Sequence, residues 1–245
     1  MDRFDGQLAV VVGGGSGIGR AMVERLVGLG GAAIIASRSA DKLARVAEEI
    51  GPAVTARPLD MTDTGAVEAW AEALPEVDHL VISASSAAHG PFRDLPMEDL
   101  RGMFEAKFFG PYQVAKAVLP KLRAGGSLTF FSGVLSRRPG ANCSGLGAVN
   151  GAVESLTYAL ALELGPDLRV NCVSPGMVRS EAYAGLPEAA REAMYRDTGA
   201  SLPLGRVGSV ADLAEAVTFL MANAYTTGLV LDIDGGHRVR QYATR

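Results

Sequence analysis

The sequence predicts an α/β protein built on a doubly wound parallel sheet of about seven strands, with helices on both faces. Three observations carry this. Short runs that are apolar throughout alternate with longer amphipathic ones along all 245 residues, the pattern of strands buried on both faces beneath covering helices. A glycine-rich turn between Gly13 and Gly19 joins the first strand to the first helix. No linker, low-complexity tract or internal repeat breaks the alternation, so one domain over residues 1–245 is expected.

The elements follow in order. "LAVVVG" from Leu8 reads as a buried strand, and "IGRAMVERLVGLG" as a helix that stops at Gly30 and Gly31. "AAIIAS" is the second strand, and "SADKLARVAEEI" a helix capped by Ser39. "AVTARPLD" is a third strand ending at Asp60, "DTGAVEAWAEAL" a helix and "HLVISAS" a fourth strand. Met97 to Leu122 reads as a long helix, interrupted or bent at Pro111, where a ladder donor is missing. "SLTFFS" is a fifth strand, and the next helix runs from Ser144 to about Leu164. "RVNCVS" is a sixth strand, broken by Pro175 and Gly176. Leu186 to Ala222 holds two helices, and "GLVLDIDGG" is the last strand. The least regular region, 180–204, is expected to form a lid over a ligand crevice.

Composition narrows the function classes. Hydrophobic residues make up 48% and charged residues 20%, enough for a sizeable core and unlike a disordered chain. The net charge of −4 argues against a nucleic-acid partner, which needs a basic patch. There is no signal-like N-terminus, and no apolar run approaches the roughly 18 residues that span a bilayer. A soluble cytoplasmic protein with no membrane partner is expected. Cys143 and Cys172 lack metal-ligand spacing and read as reduced, partly buried thiols. No cluster suggests a metal, and no Ser/His/Asp or Cys/His set has an interpretable context.

The glycines at 13, 17 and 19 allow a sharp turn, a close backbone approach to a pyrophosphate and tight helix–sheet packing. Exposed amides at the helix start favour an anion. The second strand ends at Ser37 and Arg38 rather than at an acidic residue. A guanidinium suits a 2′-phosphate, which points to NADP(H) over NAD(H). Arg38 is otherwise an ordinary solvated arginine. Asp60 either accepts from an adenine amino group or caps the helix starting near Thr62.

With these motifs in view, the chain resembles the classical short-chain dehydrogenase/reductase family over nearly its whole length. "GGGSGIG" is similar to the family's TGxxxGIG loop, and "RVNCVSPGMVRS" to its RVNxVxPGxxxT segment. "NGAVESLTYALALEL" is similar to KGAVxxLTxxLAxEL. The stretch from Pro203 to Gly236 is similar to the family's last helix and strand. The resemblance implies a Rossmann-type sheet, a nicotinamide cofactor, a small-molecule substrate and a homodimer or homotetramer. It implies a cofactor path over Gly13, Ser16, Gly17, Ile18 and Gly19, past Ser37, Arg38, Asp60 and Met61. That path continues to Ala84, Asn150, Pro175, Gly176 and Val178.

The family's reductases use an asparagine, a serine, a tyrosine and a lysine in concert. Carried over, these roles fall on Lys107, Gly133, Leu146 and Asn150. Every one departs from the pattern. A positioned general acid is worth roughly 10²- to 10⁴-fold in rate, or about 3–5 kcal/mol of barrier, and Leu146 has no proton to give. The catalytic residues are therefore left unassigned. The reading is an NADP(H)-binding protein of an oxidoreductase family that has left tyrosine-dependent chemistry. The alternative is a non-catalytic subunit, nucleotide sensor or scaffold, with no substrate. Lys107 shares a helix face with Met103, Gly110 and Val114. Its ammonium either takes the place of the usual lysine near the cofactor ribose or snorkels along an apolar face. Ser132, Ser144, His89 and Tyr183 are other possible proton carriers; each alone is more often a surface or loop residue.

Overall fold

The computed structural model describes residues 3–83 and 87–239. Its strands are β1 (Leu8–Val12), β2 (Ala32–Ala36), β3 (Val54–Ala56), β4 (Val77–Ile82), β5 (Leu122–Phe131) and β6 (Arg169–Pro175), then β7 (Val178–Arg179), β8 (Gly208–Ser209) and β9 (Val230–Ile233). Seven of them form one sheet in the order β3-β2-β1-β4-β5-β6-β9, and every pairing is parallel. The chain winds outward from β1 in one direction and then returns to the other side at β4. The strand order reverses there, so a crevice opens at the carboxyl ends of β1 and β4.

The helices are α1 (Gly17–Gly28), α2 (Ala40–Ile50), α3 (Thr64–Glu72), α4 (Met97–Phe104), α5 (Gly110–Val118), α6 (Ser144–Leu164), α7 (Glu188–Ala200) and α8 (Val210–Ala222). Successive strand residues point to opposite faces. On β1, Ala9 and Val11 pack with Met22 and Leu26 of α1 and Leu213 and Val217 of α8. Val10 and Val12 pack on the other face with Val114 and Val118 of α5 and Val153 of α6. A strand feeding two cores has no solvated face, which is why this one is apolar throughout. Among the described residues no helix is long and apolar enough to cross a membrane.

Several expectations shift. β3 stops at Ala56 rather than reaching Asp60, although the amides of Arg57 and Leu59 still donate to Ile35 O and Ser37 O at 2.9 and 3.0 Å, with the Pro58 nitrogen on the side away from β2. Asp60 does not cap the following helix: Asp63 does, accepting from the Ala66 amide at 3.0 Å. Asp60 instead accepts from the amide and hydroxyl of Thr62 at 3.0 and 2.7 Å. Ser39 caps α2 as expected, accepting from the Lys42 amide. The long helix from Met97 is divided by a π-helical turn, Glu105–Phe109. Gly110 N–H reaches back five residues to Glu105 O. Pro111 has no N–H, and its ring would crowd the carbonyl four residues back, so the wide turn falls just before it. That turn carries Lys107. The last turn of this segment tightens to a 3-10 helix at Leu119–Lys121. The short β7–β8 ladder has no counterpart in the apolar pattern, being only two residues long on each side.

At the opposite end of the sheet His79 is 4% exposed. Its Nδ1 lies 2.8 Å from Ser127 Oγ and its Nε2 2.8 Å from Gln7 Oε1, contacts that a neutral ring satisfies. Burial pushes its pKa down to about 4. The unfolded ring titrates near 6.5, so its contribution is complete above pH 6.5 and is lost as pH falls toward 4. Urea unfolding at pH 7.5 and pH 4.5 should differ by up to about 3 kcal/mol from this group, and His79→Gln should flatten the stability curve over that window.

Candidate functional site

A cavity of about 1210 Å³ opens over the carboxyl ends of β1, β2 and β4. Gly13, Ser16, Gly17, Ile18, Gly19, Ser37, Arg38, Asp60 and Met61 all line it. The glycines have identifiable tasks. Gly13 and Gly17 hold φ of +92° and +51°, a region side chains disfavour. A Cβ on Gly19 would lie 2.3 Å from Gly13 O and 2.8 Å from Ser83 Oγ. Removing those side chains lets α1 begin directly against the end of β1. Ser16 precedes the helix without making a side-chain capping bond, and the first turn of α1 contains no acidic residue. The amide end of a 12-residue helix therefore faces the cavity with its positive pole uncompensated.

At the far end of β2, Arg38 makes no hydrogen bond or ion pair among the described residues. Its charge acts on Asp60, whose carboxyl is held below its ordinary range chiefly by the Thr62 amide and hydroxyl, with Arg38 a smaller cause. Of the other expected contacts, Asn150, Pro175, Gly176 and Val178 do not line this cavity. Ala84 lies outside the described residues. Asn150 is 2% exposed. Pro175 ends β6 and Val178 begins β7. Gly176 is a packing glycine, since a Cβ there would meet Asp234 Cα at 2.8 Å.

Three of the four positions singled out by the resemblance, Lys107, Gly133 and Asn150, come together at the end of β5. Lys107 is 8% exposed and its Nζ donates to Ser132 O at 2.9 Å. It is therefore buried, which overturns the snorkelling alternative. Burial lowers its pKa to about 8, with Cys172 a smaller opposing influence. Next along the backbone, Gly133 O accepts from Asn150 Nδ2 at 3.3 Å. A Cβ on Gly133 would stand 2.9 Å from that Nδ2, so the Asn150 amide occupies the room a side chain at 133 would need. Asn150 Oδ1 is buried without a partner. Leu146 packs with Met103 and Val149 in a separate apolar cluster.

A polar chain that sequence reasoning missed runs outward from here. Glu154 Oε1 accepts from Ser132 Oγ at 2.9 Å and Ser136 Oγ at 2.6 Å. Its other oxygen pairs with Arg137 at 3.4 Å, and Arg137 in turn pairs with Asp232. The signal for Glu154 was present: it falls on the same stripe of α6 as Leu146, Asn150, Val153 and Thr157, all of them buried. Cys172 sits beside Ser132, and burial pushes its thiol up to about 11.

The other proton carriers are dispersed. Ser144 is the exposed first residue of α6. His89 Nδ1 lies 3.4 Å from Cys143 Sγ, and burial raises the Cys143 pKa. Tyr183 packs edge-on against Tyr195, with ring centroids 5.8 Å apart, and burial raises its pKa as well. The region expected as a lid holds a 3-10 turn at Glu181–Tyr183 and α7. Ser180, Glu181 and Ala182 close one side of the large cavity. Among the described residues no group of His, Cys, Asp or Glu could hold a metal ion.

A doubly wound sheet, a glycine cradle at its switch point and a free guanidinium beyond it define a class: nucleotide-binding α/β proteins. Known proteins narrow the class. A family model described as Enoyl-(Acyl carrier protein) reductase matches residues 12–238. Galactitol 2-dehydrogenase (L-tagatose-forming) of Cereibacter sphaeroides is 36% identical, with 97% of each chain covered. A peroxisomal 2,4-dienoyl-CoA reductase of Danio rerio is 32% identical over 96% of this chain and 82% of its own. A crystal structure of a small-chain dehydrogenase in complex with NADPH superposes with a TM-score of 0.83 at 35% identity, covering 97% of this chain and 100% of that one. The chain belongs to the short-chain dehydrogenase/reductase family of oxidoreductases.

Two stability predictions follow from this geometry. Gly19→Ala forces apart the contact at Gly13 and should destabilise the fold by about 1–3 kcal/mol, read by urea unfolding. Glu154→Ala strands the buried Ser132 hydroxyl and one side of Arg137, while Ser136 keeps Gly133 O as an acceptor, and should lower stability by about 1–3 kcal/mol. Glu154→Gln, which keeps an acceptor, should cost less in the same measurement.

Proposed function

We propose that the protein binds NADP(H) in the large cavity and acts as an oxidoreductase without a tyrosine acid. One juxtaposition carries this reading: the anion cradle of the first glycine loop is intact, while the acid position holds Leu146 in an apolar cluster. The cradle fits the cofactor because its walls are bare backbone where a Cβ would collide. In this reading the α1 amides and Ser16 hold the pyrophosphate. Asp60 and Met61 flank the adenine, and Arg38 faces the 2′-phosphate. Bound NADPH supplies a hydride.

The residues at the end of β5 fit a positioning role. Lys107 takes the part of the family's lysine from the opposite helix, and Asn150 takes the amide part, so the ammonium and the amide have exchanged positions. Lys107 has donors to spare beyond Ser132 O, and Asn150 Oδ1 is an unused acceptor. Both suit the hydroxyls of a ribose. Leu146 cannot protonate an alkoxide. The substrate class consistent with that is an acceptor needing no acid in the hydride step. An iminium carbon takes hydride and leaves a neutral amine; a quinone spreads its new charge over a ring.

A non-catalytic reading is favoured by one observation. Leu162 is 85% exposed and Tyr158 52% exposed on the outer face of α6, an apolar surface suited to assembly into a homodimer or homotetramer. Turnover separates the two readings. Purified protein should quench or shift NADPH fluorescence on titration, and Arg38→Ala should weaken NADPH about tenfold or more while leaving NADH nearly unchanged. NADPH oxidation should proceed with preformed iminium ions or quinones and not with simple ketones. Binding without any turnover would select the sensor or subunit, and rapid ketone reduction would overturn the proposal.

Lys107→Met separates function from stability. Its pKa is lowered to about 8 by burial, so near pH 7 the folded state carries a penalty for charging it. Removing the charge should raise stability by about 1–2 kcal/mol, or a few degrees in Tm, while NADPH affinity falls.

A further inference from the structure

Two cations border the 2′-phosphate end of the cavity, and they are not in the same state. Arg38 is free of hydrogen bonds and ion pairs among the described residues. Lys42, in the first turn of α2, is already engaged: its Nζ lies 2.8 Å from Oε2 of Glu181. Glu181 comes from the other side of the cavity, and Ser37, Arg38, Lys42 and Glu181 all line it. The ion pair therefore spans the cavity mouth from α2 to the turn Glu181–Tyr183.

The base of that turn is fixed. Tyr195 OH donates to Ser180 O at 3.4 Å. The Arg179 guanidinium sits over the Tyr195 ring at 4.5 Å and pairs with Glu192 at 2.5 Å. Tyr183 rests edge-on against the same ring. Across the cavity the turn is joined to α2 by the Lys42 pair, with side-chain exposures of 40% and 61%. An exposed pair of this kind shifts an equilibrium by no more than about fivefold. It is held firmly enough to be formed and weakly enough to be exchanged. A phosphate brings nearly twice the charge of a carboxylate and can also engage Arg38.

We propose that Glu181 is a built-in competitor for the cofactor's 2′-phosphate: its carboxylate occupies Lys42 in the absence of nucleotide, and the phosphate displaces it, releasing the turn at residues 181–183. This deepens the NADP(H) reading and rests on it. It assigns Lys42 as a second 2′-phosphate ligand beside Arg38 and Glu181 as a determinant of specificity. The carboxylate weakens a ligand that must displace it from Lys42 and leaves one that does not reach Lys42 unaffected.

The test uses calorimetric titration of two adenosine probes, 2′,5′-ADP and 5′-AMP, into the full chain. Glu181→Gln should bind 2′,5′-ADP about three- to fivefold more tightly than the wild type and leave 5′-AMP unchanged. Lys42→Met should weaken 2′,5′-ADP about tenfold, and adding Glu181→Gln to it should give no further gain, because the competition needs both partners. An equal gain for both probes, no gain, or a gain that persists without Lys42 would each overturn the proposal. If the wild type binds neither probe, the cofactor reading fails and the competition with it. If it binds both and Glu181→Gln changes nothing, only the competition fails.

Discussion

The contact between Gly13 and Gly19 governs what this fold can hold. The end of β1 and the start of α1 approach so closely that no side chain fits between them. That approach turns the chain sharply, aims the amide end of α1 into the crevice and leaves bare backbone as the crevice floor. An anion there meets aligned dipoles without a charged side chain. Nothing about the contact requires chemistry at the other end of the crevice. Anion recognition is built at β1 and β2, while bond-making groups would be supplied from β5 and α6. The two halves of the site can therefore change independently.

The β5 end holds a connected polar cluster. Lys107 and Asn150 bind the successive carbonyls of residues 132 and 133, and Ser132 passes its hydroxyl to Glu154. Asn150 Oδ1 is buried there without a partner. A buried unpaired acceptor costs about 1–3 kcal/mol. Such a group is better explained by a ligand that meets it than by packing. The substitutions are also mutually dependent. Because Asn150 occupies the room beside Gly133, a side chain at 133 would require residue 150 to shift or change as well.

Most of the sheet was legible because a strand buried on both faces has no freedom to be polar, and β1, β2 and β4 are apolar almost throughout. The glycine loop was legible because its residues are defined by what they lack. The parts that misled were those where a local signal met a tertiary one. Asp60 and Asp63 are both good helix caps, and spacing to the ladder decided between them. Pro111 announces a bend but not a π-turn upstream of it. Lys107 on an apolar stripe is compatible with snorkelling until the depth of the stripe is known. Glu154 was passed over because a glutamate in a helix is usually solvated. The pair Lys42–Glu181 joins residues far apart in sequence, and no periodicity could bring them together.

The absence of an ionisable hydrogen at 146 bears on selection for the rest of the site. Were the crevice without use, the glycines would be free to drift, since Gly13 and Gly17 hold conformations that side chains disfavour and each glycine weakens the fold through chain entropy. The crevice instead retains the tight contact, the uncompensated helix end and a free guanidinium. Lys107, buried at a cost to stability, points the same way. A hydrophobic residue in its place would pack without a desolvation penalty. On the proposed function, a fold that keeps an expensive ammonium and a bare anion cradle beside an apolar Leu146 is organised around holding a nucleotide rather than around protonating what the nucleotide reduces.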